Sequence, residues 1–475
     1  MSVLIIHEID RGGLNERRLE GNPEFVLGDV SYLITYPVSD DYLCVTNTFR
    51  NRSFLISKED WNPGGIYPAD FEAYAGYPDK PCTETDLPAG SLERFRQSVA
   101  FVIVLSYDCN LRCKYCYQQC NPNLDRSRMT DENLAKVLDT IEQYQMNHPE
   151  MEIGLELFGG EPLLKENYED VIRVFDFAAD HGMTVSITTN GVNLPMYLKD
   201  LVIYSGLQMN IATTIDSITE NEKTRFSSRK DVDASGNSLL HSIYTLINND
   251  VYVSVGMNID RHNIDQVENM LAFYRDNGFL GNPYFSIQIA RVDDRLYETG
   301  YDQMMTDTEL IERLSRMDIP ASQLSYAFVK STLFLCRKLD PGFRQMEARQ
   351  VSNYCWASAP LQQVFYIDAQ LDVFRCTYTV GRKEYSLFKF SLEELENYRM
   401  PDRTYQQYPR CRTCPIGGYC SGGCALSAGK DFDKMCKEEQ KDFDLYLRQI
   451  YYPRVQSMLE AYLQKKQTEQ KELVS

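Results

Sequence analysis

Basic side chains are in deficit in this chain: 49 Lys and Arg stand against 68 Asp and Glu, for a net charge of −19 over 475 residues. Nucleic acid and anionic membrane both reward a basic footprint, so neither is an expected partner. Long apolar runs are also missing. No stretch approaches the roughly 18 residues needed to span a bilayer. The opening MSVLIIHEIDRGG has acidic flanks and no basic n-region, so it does not read as a secretion signal. Histidine is scarce. The five are His7, His148, His181, His241 and His262, and none lies in a cysteine cluster. A metal site here is therefore sulfur-rich, which selects iron–sulfur or zinc. Fourteen cysteines without a secretion signal point to metal or redox chemistry in a reducing compartment, not to a disulfide framework. The expectation is a soluble, acidic, cytoplasmic protein. Its hydrophobic content of 43% is enough for a sizeable core, and its length suits two or three domains.

What is present divides along the chain. Residues 1–97 hold strand-like runs (YLITYP, DYLCVTN, RSFLIS) and then a Pro/Gly-rich stretch, and read as a small β-containing domain. From residue 98 to 299, strand-length apolar runs alternate with helical segments: AFVIVLS, IGLELFG, TVSITTN, MNIATTI, VYVSVGMN and YFSIQIA. Six strands alternating with helices imply parallel βαβ units, and runs this apolar suit strands buried on both faces. Residues 300–350 read as a helical bridge and 351–440 as a cysteine-rich, loop-rich domain. Residues 441–475 read as a broken helix with a charged tail.

The motifs fall after strand ends. SYDCNLRCKYCYQQC follows the first strand and carries Cys109, Cys113, Cys116 and Cys120. Three thiolates in a short loop can hold three irons of one cubane and leave the fourth iron to a ligand. The alternative is a four-ligand zinc site closed by Cys120. Gly159-Gly160-Glu161-Pro162 follows the second strand and Thr189-Asn190-Gly191 the third. Asp216 follows the fourth, with Arg225 downstream; the fifth ends at Asn258, and the sixth leads into Arg291. Open α/β sheets and barrels place function at these carboxyl ends, so all of these groups would share one mouth.

CNLRCKYCY, together with GGEP and the six-strand count, resembles the signature of radical S-adenosylmethionine (SAM) enzymes over about residues 98–295. The resemblance implies a partial (βα)6 barrel. Cys109, Cys113 and Cys116 would hold a [4Fe–4S] cluster whose free iron chelates SAM. Tyr115 would lie near the adenine, and Gly159, Gly160 and Glu161 at the methionine amino group. Thr189, Asn190, Thr214 and Asp216 would line the cofactor site, with Arg225 at its carboxylate; the alternative for Arg225 is a surface salt bridge.

Farther on, CRTCPIGGYCSGGC supplies Cys411, Cys414, Cys420 and Cys424, followed by Cys436, with Cys355 and Cys376 upstream. This arrangement resembles the SPASM domain, which carries two auxiliary [4Fe–4S] clusters, for three in all. Cys355, Cys376 and Cys424 would hold the first, and Cys411, Cys414, Cys420 and Cys436 the second. Two zinc ribbons are the alternative, but zinc ligands come in fours and seven is odd. Leu371 stands where the family usually has glycine, so a local turn there is expected to differ. No cysteine follows shortly after Cys355, so either Cys336 reaches in or one iron stays open to a substrate thiolate. Cys44 and Cys82 read as packing residues or plain thiols.

Relatives of this kind mostly modify peptides. The expected function is a maturase that installs a thioether crosslink in a ribosomally made, Cys-containing precursor peptide, using an external electron donor of the flavodoxin or ferredoxin type. The other readings are an anaerobic sulfatase maturase forming formylglycine, a carbon–carbon crosslinking maturase, and a non-enzymatic iron–sulfur electron carrier. The N-terminal domain would either bind a leader segment as an added strand or merely cover the barrel.

Overall fold

The computed structural model describes residues 2–10, 13–77, 98–121, 123–219, 225, 238–293, 299–318, 336, 339, 363–399, 409–420 and 422–474. Cys82 and Cys355 lie outside them. The chain divides into two compact units that interleave along the sequence. One comprises Met1–Leu92, Asp307–Ala359 and Pro401–Ser475; the other comprises Glu93–Thr306 and Pro360–Met400.

In the first unit, strands β1 (Ser2–Asp10), β2 (Gly13–Gly21), β4 (Ile34–Pro37), β5 (Tyr42–Asn47) and β6 (Arg52–Ser57) form an antiparallel sheet in the order β2-β1-β6-β5-β4. Strands β3 (Pro23–Val26) and β7 (Ile66–Pro68) pair beside it in the chain as a two-stranded sheet. The first hairpin departs from hydrophobic alternation. GLNERRLEG is mostly exposed, and its pairing rests on a nine-residue ladder with β1. Ile6, Leu19, Val45, Phe49, Phe54, Ile56, Tyr67 and Phe71 form one buried cluster, and Cys411 is part of it. The C-terminal helix Ala425–Tyr446 passes through a π-helical turn, Leu447–Tyr451, into a helix over Tyr452–Val474. Pro453, which has no N–H to give the preceding turn, stands at that break. Tyr452 stacks on Tyr36 at 4.1 Å, and Tyr462 meets His7 edge-on at 4.9 Å.

The second unit is α/β. Strands β8 (Ser98–Val104), β9 (Glu152–Phe158), β10 (Thr184–Thr188), β11 (Asn210–Thr214), β12 (Tyr252–Ile259) and β13 (Phe285–Arg291) are parallel and adjacent in chain order. Between them run helices α1 (Asp131–Asn147), α2 (Tyr168–His181), α3 (Leu194–Ile203), α4 (Leu239–Ile247) and α5 (Val267–Asp276). The strand count gave the parallel βαβ units, and the arrangement is the partial (βα)6 barrel that the resemblance implied. Thr130 caps α1 by accepting from the Asn133 N–H, Ser238 caps α4, and Gly182 ends α2 at φ 65°.

Burial on both faces does not hold. Along β9, Ile153, Leu155 and Leu157 are buried, while Gly154, Glu156 and Phe158 are only half-buried; β10 alternates likewise. The buried row faces the helices, since Phe101, which pairs with Leu155, meets Tyr144 of α1. The other row lines a lumen that side chains do not fill, hence its partial exposure.

A strand the sequence did not announce, β14 (Gln363–Ile367), extends the sheet by pairing parallel to β8; β15 (Val373–Phe374) turns back on it. In the turn between them Leu371 has φ 62°. Leucine thus takes the left-handed conformation that glycine would supply. That costs about 1–2 kcal/mol, and burying its side chain offsets the cost by about 1.5–3 kcal/mol. The Asp368 carboxylate stitches this turn by accepting from the Gln370 and Asp372 N–H groups.

Candidate functional site

The loop after β8 carries the first cysteines. Cys113 and Cys116 are one turn apart, with the Cys116 N–H donating to the Cys113 carbonyl at 3.0 Å. Burial pushes the Cys113 thiol up to about 12; neighbouring Arg225 opposes this, and Cys116, Asp216 and Cys109 add to it. Burial also raises Cys109, with Cys116 again among the groups acting on it. The three thiols therefore stand close enough to act on one another. Cys120 follows in a short 3-10 turn, Tyr117–Cys120; its side chain lies outside the described set.

The end of β9 lies tight against this loop. The Gly160 N–H donates to the Ser106 carbonyl and the Glu161 N–H to that of Asp108. A Cβ on Gly160 would lie 2.1 Å from the Asp108 carbonyl oxygen, so no other residue fits. Glu161 is fully buried, and its carboxylate accepts three hydrogen bonds: from Thr189 Oγ1 (2.6 Å), the Asn190 N–H (2.6 Å) and the Leu163 N–H (2.9 Å). Glu161 thereby braces the turn after β10. Asn190 then reaches Cys109 Sγ at 3.5 Å and Asn110 Oδ1 at 2.7 Å.

Across the mouth, Tyr115 is the hub. Its hydroxyl donates to Asp216 Oδ2 at 2.5 Å and accepts from Arg225 Nη1 (3.1 Å) and Asn258 Nδ2 (3.2 Å). Asp216 Oδ1 takes the Asn258 N–H at 3.0 Å. Cys113 Sγ lies 3.7 Å from the Arg225 carbonyl. Arg225 is buried, so it is not a surface ion pair. Burial works against its charge, but Tyr115, Cys113 and Asp216 more than offset this. Thr214 ends β11 opposite Gly256. Arg291 turns elsewhere, donating to the carbonyls of Val292 and Met305.

Sequence reasoning missed the support behind Asp216. Asn263 donates to the carbonyls of Asp216 (3.1 Å) and Asn258 (2.8 Å), and Asp260 takes the His262 and Asn263 N–H groups. The Tyr301 hydroxyl bonds to Asp260, and its ring meets Tyr115 edge-on at 6.1 Å. The run NIDRHN just past a strand end was the available signal, because Asp and Asn there fold back on their own backbone.

Cys411, Cys414, Cys420 and Cys436 lie in the first unit. Burial raises all four, and Cys414 acts on each of the other three; Cys411 is pushed up to about 11. A Cβ on Gly418 would sit 2.3 Å from the Thr48 carbonyl oxygen. The Thr48 hydroxyl donates to the Pro415 carbonyl, and the Tyr419 hydroxyl to Asn51. Cys424 is the residue preceding the helix Ala425–Tyr446, with no side-chain capping bond. Cys376 belongs to the other unit and begins a turn in which the Thr379 and Val380 N–H groups bond back to it. Cys336 is buried among Asp307, Glu439 and Asp442, and burial raises its thiol. Cys44 is buried in β5. Among the described residues, no three His, Cys, Asp or Glu side chains close on a single metal ion, and no helix is long and apolar enough to cross a membrane.

Residues 103–289 match the radical SAM superfamily. The radical SAM cyclopropyl synthase TigE of Paramaledivibacter caminithermalis is 23% identical over 392 residues, 75% of this chain and 74% of that protein. Among solved structures, Streptococcus suis SuiB bound to precursor peptide SuiA matches with a TM-score of 0.50 at 14% identity, over 70% of this chain and 73% of that one. Native anSMEcpe with bound AdoMet and the Cp18Cys peptide matches with a TM-score of 0.54 at 15% identity, over 75% and 98%. At such identities these two structures speak to the fold.

Proposed function

We infer that this chain, whose residues 103–289 form a radical SAM domain, is a radical SAM enzyme that modifies a peptide. One observation carries the reading. Three mutually interacting thiols, a glycine turn, a braced Asn190 and the buried Tyr115–Asp216–Arg225 network meet at the carboxyl ends of consecutive parallel strands. Cys109, Cys113 and Cys116 hold a [4Fe–4S] cluster, and SAM occupies the mouth beside it. When bound, that pair supplies a 5′-deoxyadenosyl radical from one added electron, drawn from a flavodoxin- or ferredoxin-type donor. The protein's part is placement. Glu161 fixes the turn that presents Asn190. Tyr115 ties the cysteine loop to β11 and β12, and Arg225 offers a buried cation to a carboxylate.

The peptide substrate is supported by the neighbours, one described as bound to a precursor peptide and another to the Cp18Cys peptide. Two auxiliary clusters complete the proposal, on Cys411, Cys414, Cys420 and Cys436 and on Cys355, Cys376 and Cys424. The bond we propose is a thioether to a substrate cysteine. A carbon–carbon bond is the second reading, favoured by the match to a cyclopropyl synthase. The test is anaerobic incubation of the reconstituted enzyme with reductant, SAM and a Cys-containing precursor peptide. The expected outcome is 5′-deoxyadenosine together with a peptide that has lost a pair of hydrogens and no longer takes iodoacetamide. Loss of hydrogens with the thiol still alkylated selects the carbon–carbon reading. No 5′-deoxyadenosine from protein with full iron content would leave only an electron carrier.

A further inference from the structure

The barrel lumen carries an ionisable group that the cofactor site does not use. Glu156 lies on β9, on the row that faces the lumen together with Phe158. Its Oε1 accepts a hydrogen bond from Thr188 Oγ1 at 2.8 Å, and no other hydrogen bond reaches this carboxyl among the described residues. Tyr366 occupies the same row two strands away, through Val102, and its ring meets Phe158 edge-on at 5.6 Å. Among the described residues the acid's neighbours in this row are Val102, Ser186, Phe158 and Tyr366, all uncharged. At about 3.3 Å per residue, Glu156 sits roughly 10 Å below Gly159, on the path from the cofactor turn into the barrel.

Stability does not account for an acid here. Holding a half-buried carboxyl on a single side-chain partner costs free energy that a threonine or valine would not. Among the described residues no cation acts on it. Burial raises its affinity for a proton, with the Thr188 bond as the opposing influence. A neutral carboxyl offers one donor and one acceptor side by side, the complement of a peptide amide. A perturbed acid lining a cavity is a functional candidate on physical grounds.

We propose that Glu156 contacts the substrate: its carboxyl hydrogen-bonds a main-chain amide of the peptide segment that enters the lumen, and so aims the adjoining residue at the cofactor mouth. This rests on the peptide reading above. Thr188 is the positioning residue that fixes the carboxyl's rotamer.

The probe is a library of capped peptides long enough to reach the lumen from solvent, presented to the anaerobically reconstituted full-length enzyme with SAM, with retention read by mass spectrometry. Wild type should retain a subset. Glu156→Leu and Glu156→Asp should lose about tenfold in retention of that subset, and Glu156→Gln, which keeps a donor and an acceptor in place, less than about threefold. Melting curves identify any variant that does not fold, and the remaining two decide. Equal retention by the Leu or Asp variant overturns the assignment, as does a Gln variant as weak as Leu, which would require an anion instead. If wild type retains no peptide while SAM is still cleaved, the peptide reading itself falls and this inference with it.

Discussion

The two described cysteine loops are built to opposite plans. The loop after β8 has three cysteines within eight positions and stands among charge: Asp216, Arg225 and the carboxylate of Glu161 act on its thiols. The loop over residues 411–420 sits on a hydrophobic bed. Cys411 belongs to the core of the N-terminal sheet, and Gly418 lies flat on the Thr48 carbonyl. A site that must take up and release a charged cofactor needs polar groups held ready around an incomplete ligand set. On the proposed reading, a site that only has to keep its cluster does better with four thiols and no room to move. The first is braced by side chains from several strand ends; the second is seated by packing, with Gln440 donating to Cys414 Sγ and Arg410 and Glu439 acting on its thiols.

That contrast can be broken at several points. Its largest expression is in cluster loss. Cys113→Ala should abolish SAM cleavage, whereas Cys414→Ala should leave 5′-deoxyadenosine formation measurable and stop peptide turnover. Iron content with product analysis reads both, and equal loss of SAM cleavage would erase the distinction. Next comes Gly418→Ala. The added methyl meets backbone, so we expect destabilisation by about 1–3 kcal/mol, seen as a lower Tm, with iron lost from the second loop while SAM affinity holds. Tyr115→Phe should weaken SAM binding about tenfold by removing the hydroxyl that joins Asp216, Arg225 and Asn258. Calorimetry on the reconstituted enzyme measures it, and an unchanged affinity would confine Tyr115 to packing.

The smallest effect on turnover concerns Asp368, in the turn that leads to Cys376. Burial pushes its carboxyl up to about 6, with neighbouring Asp372 adding to the rise and N–H bonds from Asp372 and Gln370 opposing it. A raised carboxyl binds more protons folded than unfolded. Its contribution is therefore fully present below about pH 4 and is lost as pH rises through about 6. Asp368→Asn should flatten that part of the stability-against-pH curve, by about 1–3 kcal/mol, without altering SAM cleavage. A mutant curve parallel to wild type would assign the slope to other groups.

Much of this was legible in the linear text. Six apolar runs separated by helical stretches fixed the βα count, because local period and turn residues report local structure. The cysteine loop, GGEP and Asp216 were recognisable because each follows a strand end. Glu156 was not. It sits inside an apolar run, and only the closing of the sheet says that its side of β9 faces a lumen. Strand β14 escaped for a related reason: its partner β8 is over 250 residues earlier, and no local signal marks a parallel pairing. The β1–β2 hairpin hid because one strand is mostly polar and does not alternate.

Sequence alone determined which residues are available for sulfur chemistry, how many strands alternate with helices, and which motifs stand at their ends. Those are properties of spacing and period. Only the tertiary structure decided that Glu161 spends its carboxylate on the neighbouring turn, that Tyr115 joins Asp216 to Arg225, and that the first strands form the bed for Cys411. Each of these depends on atoms brought within 2 to 4 Å by packing between segments remote in the chain, and no short-range pattern encodes such a meeting.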